Sequence, residues 1–196
     1  MKVLVIPEDF RKDQYMLKPI IKAMMSHLGK TKAQVQVCQD PLLGGVNEAL
    51  KLENILAIIE QYRGKADLFI LCVDRDGKEG RKQALNKLEQ EAAKILTSRQ
   101  SLLLVENAWQ EIEVWVLAGY DLPSEWKWQK VRREEHPKER YFIPLAKQQN
   151  LLETPGEGRK IMAEKAAGNY KRLQQLCPED LLNLEQRIKD WLDILK

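Results

Sequence analysis

The sequence predicts an α/β protein with a mostly parallel sheet, helices on both faces of that sheet and a helical C-terminal extension. Up to about residue 120, short apolar runs typical of buried strands alternate with amphipathic helical stretches. Beyond that point the pattern changes to a proline-containing basic and aromatic segment, followed by helical periodicity alone. We therefore divide the chain into residues 1–120 and residues 121–196.

The predicted elements of residues 1–120 alternate between strand and helix. Apolar runs at 2–6, 68–73 and 101–105 indicate strands, and 33–38 alternates apolar and polar residues as a half-exposed strand does. Apolar residues at helical spacing predict helices over about 11–28, 50–62 and 109–119, and a long one after Gly77 whose apolar face comprises Leu85, Leu88, Ala92, Ile95 and Leu96. This order of elements builds a mostly parallel sheet.

The C-terminal part is expected to hold one irregular segment and several helices. Residues 121–145 contain Pro123, Pro137 and Pro144 among basic and aromatic residues, so we expect them to be irregular. The last helix is predicted to begin at Pro178, because proline and acids favour a first turn. Its apolar face is expected to join the core, with a homodimer contact as the alternative; that face comprises Leu181, Leu184, Ile188, Trp191 and Leu195.

Composition narrows the classes of protein to consider. The 196 residues are 44% hydrophobic and 31% charged, which suits a folded domain with a sizeable core. The net charge of +3 argues against a histone-like nucleic-acid binder but permits a local basic face. Three distant cysteines, Cys38, Cys72 and Cys177, predict no disulfide framework and a reducing compartment. The start lacks signal-peptide features and no run approaches a membrane span, so we expect a cytoplasmic protein without membrane contact.

Acidic residues follow two of the predicted strands. Glu8 comes after the first, and Asp74 and Asp76 follow the strand 68–73 directly. Ligands and catalytic groups gather past the carboxyl ends of parallel strands, and carboxylates brought together there repel one another unless a cation lies between them. Oxygen ligands without Cys or His suit Mg²⁺ or Mn²⁺. The alternatives are a helix-capping role for Glu8 and a simple turn for the Asp74–Gly77 stretch.

Glu113 is a third acidic position that indicates a functional site. On a helix over 109–119 it falls within the apolar stripe formed by Trp109, Ile112, Val116 and Leu117. An unpaired charge there is costly, so Glu113 is expected to have a partner: a metal ion, an Arg or Lys, or a shared proton. Glu106, after the strand 101–105, is a further candidate at the same edge.

Other chemistries fit the sequence poorly. The two histidines, His27 and His136, do not support a histidine-based triad, and no zinc-type Cys or His spacing exists. No phosphate-binding GxxxxGK[ST] loop is present either.

A basic and aromatic stretch follows residue 125. Cations interleaved with tryptophans suit phosphate contacts and base stacking, with a solvated loop pinned by its tryptophans as the alternative. The predicted nucleic-acid-binding residues are Lys127, Lys130, Arg132 and Arg133 in this stretch, with Lys160 and Lys165 on the C-terminal helices.

These motifs resemble the TOPRIM domain of topoisomerases, primases and OLD-family nucleases. A strand ends at Glu8, a later strand ends in Asp74-Arg75-Asp76, and Glu113 precedes an x-Trp-x-Leu-Ala segment. The chain is most similar to small bacterial TOPRIM-like proteins that are often encoded beside an ABC/SMC-type ATPase in defence or toxin-like loci. The resemblance covers about residues 1–120. The chain departs from the family at Asp9, where the family usually has Gly.

The resemblance implies a Mg²⁺- or Mn²⁺-dependent nuclease that acts as the effector of such an ATPase. Glu8 would be a metal ligand or general base, Asp74 and Asp76 the metal-binding pair, and Glu113 an additional acid near the metal ions. Two alternatives stay open: a non-catalytic module that binds nucleic acid or a partner protein, and a phosphohydrolase that acts on a nucleotide.

Overall fold

A four-stranded parallel sheet forms the centre of the protein. The computed structural model describes residues 1–96 and 101–195. The sheet has the order β2-β1-β3-β4, and each neighbouring pair is parallel. Its strands are β1 (Lys2–Pro7), β2 (Gln34–Val37), β3 (Leu68–Asp74) and β4 (Leu102–Ala108). The predicted α/β class with helices around a parallel sheet is confirmed.

Helices make up most of the rest of the described chain. They are α1 (Phe10–His27), α2 (Val46–Ala49), α3 (Leu52–Gln61), α4 (Arg81–Ile95), α5 (Glu113–Ala118), α6 (Trp128–Arg133), α7 (Ile143–Gln148), α8 (Arg159–Gly168), α9 (Tyr170–Leu176) and α10 (Asn183–Ile194). Two π-helical turns, Lys138–Phe142 and Pro178–Leu182, lead directly into α7 and α10. None of the described helices is long and apolar enough to cross a membrane.

The two faces of the sheet support separate cores. Successive side chains of a strand point to opposite faces, so Val5 and Ile70 lie in one core and Leu4 and Phe69 in the other. The second core also takes in α3 and α4, whereas the first contains α1, α5 and apolar residues from residue 131 onward. The C-terminal helices therefore share a core with the sheet.

Several predicted boundaries were wrong. The strand predicted at 101–105 continues to Ala108, which pairs with Asp74, so Glu106 lies inside the strand. The predicted irregular segment contains α6 and a π-helical turn, and the helix predicted at 50–62 begins two residues late, as α3 at Leu52. The predicted start of the last helix at Pro178 is confirmed, but its first turn is π-helical and regular α-helix begins at Asn183.

Two residues of the predicted apolar faces are also exposed. Ile95 of α4 is 43% exposed, and Leu195 at the end of α10 is 47% exposed. Both lie at the C-terminal end of their helix, in the last turn or just beyond it. The remaining residues of the α10 face are buried, as the core interpretation predicts: Leu181, Leu184, Ile188 and Trp191.

The helix predicted at 109–119 starts four residues late, at Glu113. Gln110 has a left-handed backbone with φ 71°, which a helix does not allow. Its carbonyl accepts hydrogen bonds from the N–H groups of Arg75 (2.7 Å) and Asp76 (3.1 Å), and its side-chain oxygen accepts the Gly77 N–H at 3.0 Å. These bonds tie the segment before α5 to the loop after β3 and replace the first predicted turn.

Candidate metal centre at the carboxyl edge of the sheet

Neighbouring strands bring Glu8 and Asp74 together. Pro7 at the end of β1 pairs with Cys72 of β3, so Glu8 follows one strand where Asp74 ends the other. The Glu8 carboxylate accepts the backbone N–H of Asp74 at 3.0 Å. The two predicted acids therefore meet at the carboxyl edge of the sheet, as strand order requires.

Asp74 is held firmly in place. Its Oδ1 accepts the backbone N–H of Ile112 at 2.8 Å, and its carbonyl accepts a hydrogen bond from Arg81 Nη1 at 2.6 Å. Arg81 is buried and also contacts Asp76 Oδ2 at 3.3 Å. The Arg81 guanidinium thus holds both ends of the loop after β3. The Asp74 side chain is fixed between β1 and the start of α5.

Asp76 occupies a different position from the one its spacing predicts. Residues two apart on an extended chain have their side chains on the same side, but Asp76 has φ 49° and turns away into a tight loop. Its carboxylate is exposed and ion-paired to Arg81. Its negative charge nevertheless contributes to raising the pKa of Glu8, so Asp76 lies at the rim of the acidic cluster.

The structure adds Asp13, which sequence reasoning missed. Asp13 lies in the first turn of α1, is 8% exposed and accepts the backbone N–H of Asp9 at 3.1 Å. It shares a helix face with Met16, Leu17 and Ile20, all of which are fully buried. That apolar stripe is the signal that could have identified it, because the same reasoning singled out Glu113.

Glu113 begins α5 and has an arginine partner. Its Oε1 accepts hydrogen bonds from Nε and Nη2 of Arg159, at 3.1 and 2.6 Å. Arg159 is fully buried and donates further to the Gly156 carbonyl and to Glu157. Of the three partners expected for Glu113, the structure supplies the guanidinium.

Burial and mutual repulsion raise the pKa values of this cluster. Burial is the largest cause in each case: it raises the pKa of Glu8, raises that of Asp13 to about 8 with help from Glu113, and holds that of Asp74 well above its usual range. The charges of Glu113 and Glu8 add to the effect on Asp74. In the described chain, the hydrogen bonds to the carboxylates of Glu8, Asp13 and Asp74 come from backbone N–H groups alone. If all of these acids were ionised, they would carry more negative charge than their neighbours neutralise, and the raised pKa values reflect that repulsion.

A divalent cation suits this imbalance. Mg²⁺ commonly binds one or two carboxylates, several waters and substrate phosphate oxygens, and Glu8 and Asp74 offer such a pair. An open cleft of about 500 Å³ lies beside Glu8 and is lined also by Arg11 and Gly45. The cleft would give an extended substrate access to the Glu8 carboxylate.

A tighter group of potential ligands lies elsewhere. Within the described chain, Glu111, His136 and Glu139 are the three residues whose ligand atoms all lie within 4.8 Å of one another. Lys138 Nζ already lies 3.6 Å from Glu111 and 3.1 Å from Glu139. Because that ammonium group already provides a cation next to both acids, we assign no metal ion to this group.

Glu106 has its own surroundings. It is 3% exposed, accepts the N–H of Asn107 at 3.1 Å and lies 3.5 Å from Arg187. Burial raises its pKa to about 7 against the opposing charges of Lys82 and Arg187. Its neighbours are thus distinct from those of Glu8 and Asp74, although it lies on the same side of the sheet.

Some of the predicted nucleic-acid-binding residues are exposed and others are already bonded within the protein. Arg132 is buried and donates to both oxygens of Asp180, at 3.1 and 2.9 Å, so its guanidinium supports the fold. Trp126 packs edge-on against Tyr141, as a loop pinned by its tryptophan would. Lys165 lies over the Tyr120 ring, with 4.5 Å from Nζ to the ring centre. The side chains that are exposed are Lys127, Lys130, Arg133, Lys160 and Lys165.

Comparisons with known proteins add no identification. No family model, curated protein or solved structure matches the chain.

Proposed function

We propose that the protein is a Mg²⁺- or Mn²⁺-dependent nuclease whose metal centre is built on Glu8 and Asp74. The observation that carries the proposal is the meeting of these two carboxylates, with Asp13 and Glu113 nearby, at the carboxyl edge of a parallel sheet. A bound divalent ion would polarise a phosphate oxygen and lower the pKa of bound water. Phosphodiester hydrolysis is the chemistry that such a hard-metal carboxylate site serves.

The residues of the chain have distinct roles in this proposal. Glu8 and Asp74 hold the ion, and the backbone N–H of Ile112 keeps the Asp74 carboxylate in position. Asp13 has a pKa of about 8 without metal, so it carries a proton at neutral pH and can release it when a cation enters the cluster. Arg159 holds Glu113 at the back of the cluster and neutralises one of the four acids.

Nucleic acid is the proposed substrate class because exposed cations occur on several elements. Lys127, Lys130 and Arg133 lie on or next to α6, and Lys160 begins the exposed face of α8. Contacts from such residues to phosphates strengthen binding without sequence preference. An ABC/SMC-type ATPase partner remains a proposal that rests on the sequence resemblance. The homodimer alternative rests on the apolar face of the last helix, most of which is buried within the described chain.

The test is a cleavage assay with purified protein. Linear and circular DNA, single strands and structured RNA are incubated with Mg²⁺ or Mn²⁺, and EDTA serves as the metal-free control. Wild type is compared with Glu8→Gln and Asp74→Asn, which keep side-chain size. The matched control is Glu60→Gln, an exposed carboxylate paired with Arg63.

We expect metal-dependent cleavage by wild type and Glu60→Gln, and a loss of about 100-fold or more in both site variants. Cleavage that persists in Glu8→Gln and Asp74→Asn would contradict the proposed centre. Absence of cleavage together with unchanged nucleic-acid binding in all four proteins would favour the non-catalytic module. Release of inorganic phosphate from nucleotides alone would favour the phosphohydrolase.

A further inference from the structure

A second, smaller cavity lies beside the loop that follows β3. Its volume is about 180 Å³, and Arg75, Lys78 and Lys82 contribute three cationic side chains to its walls. The cavity shares no lining residue with the cleft beside Glu8. Since Arg75 directly follows Asp74, the same loop contributes to both the carboxylate cluster and this basic cavity.

The three cations have no carboxylate within ion-pairing distance in the part of the chain that the structure describes. Four carboxylates also line the cavity. Asp180 and Glu179 both pair with Arg132, Glu106 lies 3.5 Å from Arg187 and is also influenced by Lys82, and Glu79 is exposed. Arg75 and Lys78 are therefore cations of the wall without an ion-pair partner among the described residues, and a bound anion would supply one.

Arg75 is held in place by an aromatic ring. Its guanidinium carbon lies 4.2 Å from the centre of the Trp109 ring, and the backbone N–H of Trp109 donates to Asp180 at 2.9 Å. Stacking of this kind orients a guanidinium and reduces the entropy lost when it binds a ligand. Arg75 is half-buried, so it combines a fixed position with access to the cavity.

The start of α4 adds to the positive potential. The helix begins at Arg81 with no side-chain cap and no acid in its first turn. Lys78 precedes this terminus and Lys82 lies in the first turn, and both line the cavity. The positive end of a helix dipole favours an anion, although the backbone N–H of Arg81 already donates to the Lys78 carbonyl at 3.3 Å.

The size of the cavity limits the ligand. Its volume of about 180 Å³ is below the range of about 300–1,000 Å³ that is typical of pockets for drug-sized ligands. The cavity therefore suits a group as small as a phosphate.

We infer that this cavity binds a phosphate group of the nucleic-acid substrate next to the phosphodiester bond at the Glu8–Asp74 centre. The assignment rests on the proposed nuclease function for the identity of the ligand, but the site itself requires no metal ion. Arg75 and Lys78 supply the main contacts, and Trp109 positions Arg75. A terminal phosphate and an internal backbone phosphate present the same chemistry to these residues.

The experiment measures binding in EDTA, where no metal-dependent cleavage occurs. Fluorescently labelled oligonucleotides with a 5′-phosphate, a 3′-phosphate or hydroxyl ends are titrated with wild type, Arg75→Gln and Lys78→Ala. The control is Lys87→Ala, an exposed lysine of α4 that does not line the cavity. Inorganic phosphate is added as a competitor.

We expect affinity to fall about tenfold in Arg75→Gln and in Lys78→Ala, because each loses one charge-assisted phosphate contact. Lys87→Ala should bind like wild type. Tighter binding of one phosphorylated end assigns the cavity to a terminal phosphate, whereas equal binding of all three assigns it to the backbone, provided that both cavity variants are weaker. Wild-type affinity in both variants, with unchanged circular dichroism, overturns the inference.

This design separates the two proposals. Lys78 lies on an exposed loop, so Lys78→Ala tests binding even if Arg75→Gln affects folding. If no substrate is cleaved but phosphate binding still depends on Arg75 and Lys78, the cavity stands and the nuclease proposal fails. If cleavage depends on Asp74 but binding is unchanged in both cavity variants, the nuclease proposal stands and the phosphate-binding cavity is contradicted.

Discussion

The buried guanidinium of Arg159 donates two hydrogen bonds to one oxygen of Glu113, and this contact joins the C-terminal helices to the carboxyl edge of the sheet. Arg159 begins α8, which packs along α1, and Glu113 begins α5. The acidic cluster is therefore completed by a residue that lies outside the first 120 positions.

Replacement of Arg159 by Met should destabilise the protein by about 3–5 kcal/mol, because Glu113 would remain buried without its partner. Urea denaturation in EDTA measures the change. The matched control is Arg63→Met, which removes an exposed ion pair with Glu60 and should cost less than about 1 kcal/mol. The double variant Arg159→Met/Glu113→Gln should recover part of the loss; a double variant as unstable as the single one would contradict the role assigned to the pair.

Asp74→Asn should make the metal-free protein more stable, by about 1–2 kcal/mol at pH 8. The Asn side chain keeps an oxygen to accept the Ile112 N–H but lacks the charge that Glu8 and Glu113 repel. Denaturation with and without Mg²⁺ measures both effects, since wild type should gain stability from the ion and the variant should not. Asp190→Asn, at an exposed position of α10, is the control. If Asp74→Asn destabilised the protein in EDTA, the Asp74 carboxylate would be shown to stabilise the folded state, and this prediction would be wrong.

The sequence allowed Glu8 and Asp74 to be placed because both follow strand ends, and strand ends are local features. Asp13 was missed although it could have been identified in the same way as Glu113, because it continues the buried apolar stripe of Met16, Leu17 and Ile20 within α1. Arg159 lies 46 residues from Glu113, so their pairing could not be identified from spacing. The late start of α5 could not be predicted from spacing either, because the hydrogen bonds that hold Gln110 in its left-handed conformation come from the distant loop after β3.

The stability of the metal-free protein should fall as the pH rises from about 5 to 8. The pKa of Asp13 is about 8 in the folded state and near 3.9 in an unfolded chain, so between these values the folded state binds a proton that the unfolded state does not. The stability that Asp13 contributes is fully present below the unfolded pKa and is lost as the pH rises through the folded pKa. The free energy of unfolding falls by up to about 1.4 kcal/mol per pH unit between the two pKa values. The raised pKa values of Glu8, Asp74 and Glu106 act in the same direction.

Urea denaturation in EDTA at pH 5, 6, 7 and 8 measures this dependence. Asp13→Asn should flatten the decline, whereas Glu153→Gln, an exposed carboxylate, should leave it unchanged. Mg²⁺ should oppose the decline, because a cation binds the ionised cluster and releases its protons. A decline of equal slope in Asp13→Asn would mean that other groups account for it.

Asp180 and Glu179 provide the last contrast, between adjacent acids that share Arg132 as a partner. Asp180 is 2% exposed and accepts the Trp109 N–H at 2.9 Å and the Trp115 indole N–H at 2.7 Å, in addition to its bonds with Arg132. Asp180→Ala should therefore destabilise the protein by about 3–5 kcal/mol, since it leaves a buried guanidinium and two donors unsatisfied. Glu179→Ala removes an exposed contact to the same arginine and should cost less than about 1 kcal/mol. Thermal and urea denaturation of both variants measure the difference, and near-equal losses would mean that Arg132 is held chiefly by Glu179.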